Sequence, residues 1–203
     1  MSRAALARDS EAIGASETPP RERILIAARD LFYRRGIRAV TVDEIAAEAK
    51  SNKMTLYRHF ASKDLLAAEY LKRLAAETDA SWMSLARQYP DDARAQLNAW
   101  IDQIGTTLCS EGNRGCAIAN AAIEIPEKDH PARAIIESHK RRQRAEIVKR
   151  CRTAGFVQPD RLADEIFLLL EGACVNVQTV GRTGPGANIA EMLRKLLKTA
   201  PKK

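Results

Sequence analysis

The sequence predicts an all-α protein, and three observations carry that expectation. Apolar residues recur at helical spacing in segment after segment, from Ile24, Ala27, Ala28, Leu31 and Phe32 near one end to Ile189, Met192, Leu193, Leu196 and Leu197 near the other. The breaks between segments hold residues that start and stop helices, among them Gly36, Thr41, Asn52, Ser62, Pro126, Pro131 and Gly155. Aromatic residues make up only 5% of the 203 residues, Ala, Leu, Arg and Glu abound, and no run reads as a strand. The expected architecture is an N-terminal three-helix domain with a helix-turn-helix, followed by a larger helical domain.

Each element has its own warrant. Residues 1–19 lack periodicity, end in Thr18-Pro19-Pro20 and read as a flexible arm. A helix over 21–35 follows, closed by Gly36 in the usual C-terminal position. Thr41-Val42-Asp43-Glu44 is a capping box that opens a short helix with Val42, Ile45, Ala46 and Ala49 inward. Asn52 caps a second short helix over 53–60, and Ser62 caps a long one toward Arg87. Two short helices joined by a turn of a few residues make the helix-turn-helix, so one domain is expected over 20–66 and the other over 67–203. In the latter, Leu97, Trp100, Ile101, Ile104 and Leu108 form one stripe, and "GCAIANAAIEI" is a short apolar helix stopped by Pro126. Pro131 sits at the first position of a helix running to about Ala154. Residues 159–180 are apolar nearly all round, as for a helix buried on two sides, and "GRTGPGA" leads into the last helix.

Composition narrows the function classes. The net charge of +7 permits a polyanionic partner without locating it: residues 1–60 carry 11 Lys+Arg against 8 Asp+Glu, the remainder 22 against 18. Cys109, Cys116, Cys151 and Cys174 show neither CxxC pairing nor zinc-finger spacing, and read as reduced core residues of a cytoplasmic protein. The first twenty residues lack the apolar core of a secretory signal, and the most apolar stretch is interrupted by Glu171, so no membrane partner is expected. There is no phosphate-cradling glycine loop and no HExxH-type run; neither cofactor nor metal is expected.

The segment "KMTLYRHFASKDLL" gathers Lys53, Thr55, Tyr57, Arg58 and His59 ahead of a helix boundary at Ser62. A helix entering the major groove presents such residues to bases and phosphates. The competing reading is a solvated charged turn. With "ILIAARDLFYRRGIRAVTVDEIAAEA" before it, the run from Arg21 to Leu66 resembles the DNA-binding domain of the tetracycline-repressor-like (TetR) transcriptional regulators. The resemblance implies backbone contacts from Thr41, Tyr57, His59 and Lys63. It implies base contacts from the variable positions Asn52, Lys53, Met54 and Thr55, with Arg58 a further cation. It also implies a ligand-binding and dimerisation domain behind the head, hence a homodimeric repressor on a double-stranded DNA operator, released by a small-molecule effector. The segment departs from the family pattern in two ways: Lys50-Ser51 stand where Gly-Val is frequent, and Met54 where a small residue is. Either Lys50 takes a left-handed conformation or the turn differs from the family's.

For the effector, Cys116, Asn120 and Glu124 fall at i, i+4 and i+8 as a polar stripe, and His139 and Gln143 interrupt an inward face that holds Ile136 and Ile147. Buried polar groups need partners, and pocket walls are where some remain to receive a ligand. The alternative is that they satisfy one another or cap helix ends. Two other functions compete with the repressor: a helical DNA-binding scaffold without effector, and an enzyme using Cys116, His139 and Glu124 as nucleophile, base and orienter. No helix-tip or elbow context supports that triad, and the expectation is a non-enzyme.

Overall fold

The structure, a computed structural model, describes residues 18–201; of the expected arm over 1–19, only Thr18 and Pro19 fall within that range. The described residues form nine α-helices and one 3₁₀ turn, without strands. They divide into two compact units, one ending at Tyr70 and the other beginning at Leu71.

The first unit holds α1 (Pro20–Arg35), α2 (Val42–Glu48), α3 (Lys53–His59) and the start of α4 (Lys63–Gln88). The apolar stripe of α1 is buried as its spacing requires: Ile24, Ala27, Ala28, Leu31 and Phe32 are all interior. Val40, Ile45, Leu56 and Leu66 complete this small core with no exposed surface. Val42, expected inward, is only half-buried, because at the first helical position it lies at the rim. The capping box is present in full: the Glu44 amide donates to the Thr41 hydroxyl at 3.2 Å, and the Thr41 amide donates to the Glu44 carboxylate at 2.8 Å. Asn52 caps α3 by accepting from the Thr55 amide at 2.8 Å, and Ser62 caps α4 by accepting from the Leu65 amide at 3.1 Å.

The second unit holds the rest of α4, then α5 (Ala93–Leu108), α6 (Ala117–Glu124), α7 (Pro131–Thr153), α8 (Pro159–Thr179), a 3₁₀ turn (Pro185–Asn188) and α9 (Ile189–Thr199). Leu97, Ile101, Ile147, Cys151, Ala163, Ile166 and Leu193 are wholly buried in its core. Trp82 of α4 stacks on Trp100 of α5 at 4.9 Å between ring centroids. The guanidinium of Arg150, only 5% exposed, lies 4.0 Å over the Trp82 ring and pairs with Glu146 one turn away. Burying that cation is tolerable because a carboxylate and a ring face both meet it.

Three expectations are corrected by burial. Cys109 is exposed and Cys116 half-buried; only Cys151 and Cys174 are core residues. Helix α8 buries one side only: Ile166, Leu170, Ala173 and Val177 face the core, while Leu168 (70% exposed) and Val175 (53%) face out. On α9, Met192 is exposed and Leu196 half-buried, so the inward face is the narrower Ile189, Leu193 and Leu197.

Candidate nucleic-acid interface and ligand cavity

Between α2 and α3 the chain must reverse within a few residues. It does so by a Schellman closure: the Ser51 amide donates to the Ala46 carbonyl at 2.9 Å and the Lys50 amide to the Ala47 carbonyl at 3.0 Å. That motif needs a left-handed residue after the helix, and Lys50 supplies it with φ 48°. The closure leaves α3 anchored by Leu56 and Phe60, both buried, with Lys53, Met54, Tyr57, Arg58 and His59 on its exposed surface. Met54 projects furthest, 85% exposed. Thr55 is half-buried, and Asn52 is exposed with its Oδ1 engaged by the cap.

Several of these side chains already have partners. The Thr41 hydroxyl donates to Glu44 at 2.8 Å. Glu44 is held down at about 2, first by the hydrogen bonds from the Thr41 amide and hydroxyl, then by Arg35. Lys53 pairs with Asp43 at 3.2 Å on the surface. The Lys63 ammonium is half-buried and donates to the carbonyls of Val40 at 2.8 Å and Arg38 at 3.3 Å. Lys63 thus ties down the loop between α1 and α2, a role its charge alone did not signal.

Residues 24–70 match the sequence profile described as bacterial regulatory proteins, tetR family. Across its length the fold matches the crystal structure of SCO4454, a TetR-family transcriptional regulator from Streptomyces coelicolor, with a TM-score of 0.80 at 28% identity over 89% of this chain and 95% of that one. The two likenesses support a TetR-family regulator. Among curated relatives, the HTH-type transcriptional repressor SCO4008 of Streptomyces coelicolor is 35% identical over 98 residues, 48% of this chain and 43% of that protein. The match therefore spans less than half of that repressor. The HTH-type transcriptional repressor DhaR of Mycobacterium sp. (strain GP1) is 23% identical over 170 residues, 80% of this chain and 84% of that protein.

The second unit holds an open cavity of about 410 Å³, within the range of small-molecule sites. Its wall is largely apolar, with Trp100, Ile104 and Leu170, and its polar members include Cys116, His139, Gln143 and Glu171. His139 is 3% exposed; burial, then the charges of Lys140 and Arg142, push its pKa down to about 4, so it is neutral at pH 7. Its Nδ1 and the Oε1 of Gln143 are buried without a hydrogen-bond partner among the described residues.

Of the expected polar stripe, only Cys116 reaches this cavity; Asn120 and Glu124 are not among its lining residues. Cys116 is the N-cap of α6, with extended backbone angles, and its Sγ accepts from the Ala119 amide at 3.4 Å. A helical period cannot be counted from a residue outside the helix, so the stripe does not hold. The Asn120 amide instead donates to the Arg114 carbonyl at 2.8 Å and its Oδ1 accepts from Gln178 at 3.1 Å, tying the loop before α6 to α8. The enzyme triad fails with it, since Glu124 does not share the cavity with Cys116 and His139.

Sequence reasoning missed Lys140. Its ammonium donates to Cys116 Sγ at 3.4 Å and to Glu171 at 2.6 Å. Burial alone would lower its pKa, but the negative partners Cys116 and Glu171 together outweigh that and raise it. The signal was available: Glu171 interrupts an apolar helix, and a buried carboxylate needs a cation. Among the described residues no cluster is placed to hold a metal ion, and no helix is long and apolar enough to cross a membrane.

Proposed function

We propose that this chain is a cytoplasmic one-component transcriptional repressor that binds an inverted-repeat DNA operator as a homodimer and is released by a small molecule. The observation that carries the reading is α3: a capped helix whose exposed face holds Lys53, Met54, Tyr57, Arg58 and His59 while Leu56 and Phe60 anchor it. Tyr57, Arg58, His59, Thr41 and Lys63 contact phosphates, which fix register; Met54 and Thr55, with Asn52 and Lys53, meet base edges, which specify sequence. Lys53 must leave Asp43 to do so. That release is cheap, because exposed pairs contribute roughly 0–1 kcal/mol.

The exposed apolar face of α8 supports association, since Leu168 and Val175 flank Gly172, where an added Cβ would meet nothing. The cavity around His139 and Gln143 supports effector binding, and an effector acts only by binding the DNA-incompetent form more tightly. Regulators named as relatives favour a non-enzyme, and no residue role here calls for turnover.

The test is selection of bound sites from random DNA by the full-length protein, followed by affinity measured against salt. An inverted repeat with half-sites spaced by about one helical turn is expected. Arg58→Ala then weakens binding to all sites alike and reduces the salt slope by about 1. Binding indifferent to sequence, or selection of a single unrepeated half-site with full affinity, would overturn the proposal.

A further inference from the structure

We propose that Cys116 is a covalent capture site for small apolar α,β-unsaturated carbonyl compounds, which enter the cavity and add to its sulfur. That the adduct acts as a regulatory signal rests on the repressor reading above; the chemistry at the sulfur does not.

Four observations converge on this thiol. It borders an apolar cavity large enough for a small organic molecule. It receives two N–H donors, the Ala119 amide at the start of α6 and the Lys140 ammonium, each at 3.4 Å. A sulfur beside an ammonium and at a helix N-terminus is the setting in which thiolates persist and react. Lys140 is fixed in place by Glu171 at 2.6 Å and lies 5.7 Å over the Phe167 ring, so the cation cannot drift away from the sulfur. Independently, the same cavity contains His139, 3% exposed, whose Nδ1 lacks a partner. That is a polar group of the kind a bound ligand satisfies.

The other cysteines do not share this setting. Cys151 and Cys174 are buried, and burial pushes their thiols up to about 11 and about 12, the latter aided by Cys116 and Glu171. Cys109 is exposed, and its sulfur donates to the Ala187 carbonyl at 3.8 Å. The Arg182 guanidinium reaches its backbone carbonyl at 3.5 Å, and no cation among the described residues donates to its sulfur, so it serves as an internal reference for an accessible thiol without the Lys140-type contact.

The step is an addition. The thiol proton leaves to solvent, sulfur bonds to the β-carbon, and the C=C electron pair moves onto the carbonyl oxygen as an enolate. The α-carbon then takes a proton from water. The net change is S–H added across C=C, with nothing oxidised or reduced. Lys140 is a positioning residue: its ammonium donates to the sulfur at 3.4 Å and offers a positive charge to the negative charge that develops as sulfur adds and the enolate forms.

The experiment treats the full-length protein with 2-cyclohexen-1-one at pH 7 and follows adducts on each cysteine by peptide mass spectrometry. Cys116 is expected to react faster than Cys109 by about tenfold or more. Lys140→Met should lower the Cys116 rate by about tenfold without changing Cys109, and Lys140→Arg should restore most of it. Equal reactivity of Cys109, or a Cys116 rate indifferent to Lys140→Met in a protein with unchanged circular dichroism, overturns the capture site. Operator affinity is measured in parallel. Release by 2-cyclohexen-1-one, absent with saturated cyclohexanone and in Cys116→Ser, supports the regulatory role. An adduct on Cys116 that leaves DNA bound overturns that role and leaves the capture chemistry standing.

Discussion

Lys50 adopts φ 48° because the turn after α2 requires a left-handed residue, and a side chain with a Cβ is strained there. Glycine would relieve the strain, although it also loosens the unfolded chain. Lys50→Gly is therefore expected to stabilise the first unit by about 0.5–1 kcal/mol, read as a rise in its denaturation midpoint. His139 makes a second prediction at this scale. Its folded value, about 4, lies below the 6.5 of a free imidazole, so between these values the unfolded chain binds a proton that the folded chain does not. Stability from this group is complete above pH 6.5 and is lost as pH falls toward 4, up to about 3 kcal/mol. Urea unfolding at pH 7 and pH 4.5 should show a smaller loss for His139→Gln than for the parent, with the charged neighbours Asp79, Lys140 and Arg142 present in both. The conformation of Lys50 was one of two readings the sequence offered, since the family pattern has glycine there, and the hydrogen bonds that close α2 decide for it. The depressed histidine was not, because burial by neighbouring helices leaves no local signature.

On the proposed reading, helix α3 separates two kinds of contact along seven residues, Lys53 to His59. Met54→Ala should change which sites are selected from random DNA while leaving the salt slope alone, since it carries no charge. Tyr57→Phe and His59→Ala should instead weaken all sites similarly. On α6 the lesson runs the other way. Cys116, Asn120 and Glu124 share a spacing, yet the first is a cap outside the helix, and the spacing lost its meaning there. What positions Cys116 is Gly115, at φ 67°, where a Cβ would stand 2.3 Å from the Cys174 carbonyl of α8. Gly115→Ala should displace the loop and slow modification of Cys116 by 2-cyclohexen-1-one, with Cys109 unaffected. Long-range approaches of this kind are invisible to periodicity. So was the pairing of Lys140 with Glu171, 31 residues apart, although each residue alone was out of place on an inward face.

At the scale of the molecule, caps, prolines and stripes were enough to place the nine helices of the described residues, because most helix starts carry a capping side chain or a first-turn proline and each apolar face its own period. Which face of α8 meets the core was not legible, because both of its sides are apolar. Its outward side tests the proposed dimer without threatening the fold. An added side chain at Gly172 meets nothing within the chain, and glycine is a poor helix former. Gly172→Arg should leave or raise thermal stability of the monomer while shifting the sedimentation equilibrium toward one copy, through steric and like-charge repulsion across the two-fold axis. An unchanged dimer would place association on another face.

The stacked pair Trp82 and Trp100 comprises every tryptophan in the sequence. All tryptophan emission therefore arises from a single spot in the second unit, quenched or shifted by whatever enters the cavity that Trp100 borders. The DNA-binding unit is dark at those wavelengths. A ligand titration can be followed without any label, and a spectral change on adding operator alone would be a direct optical reading of communication from the dark unit to the bright one.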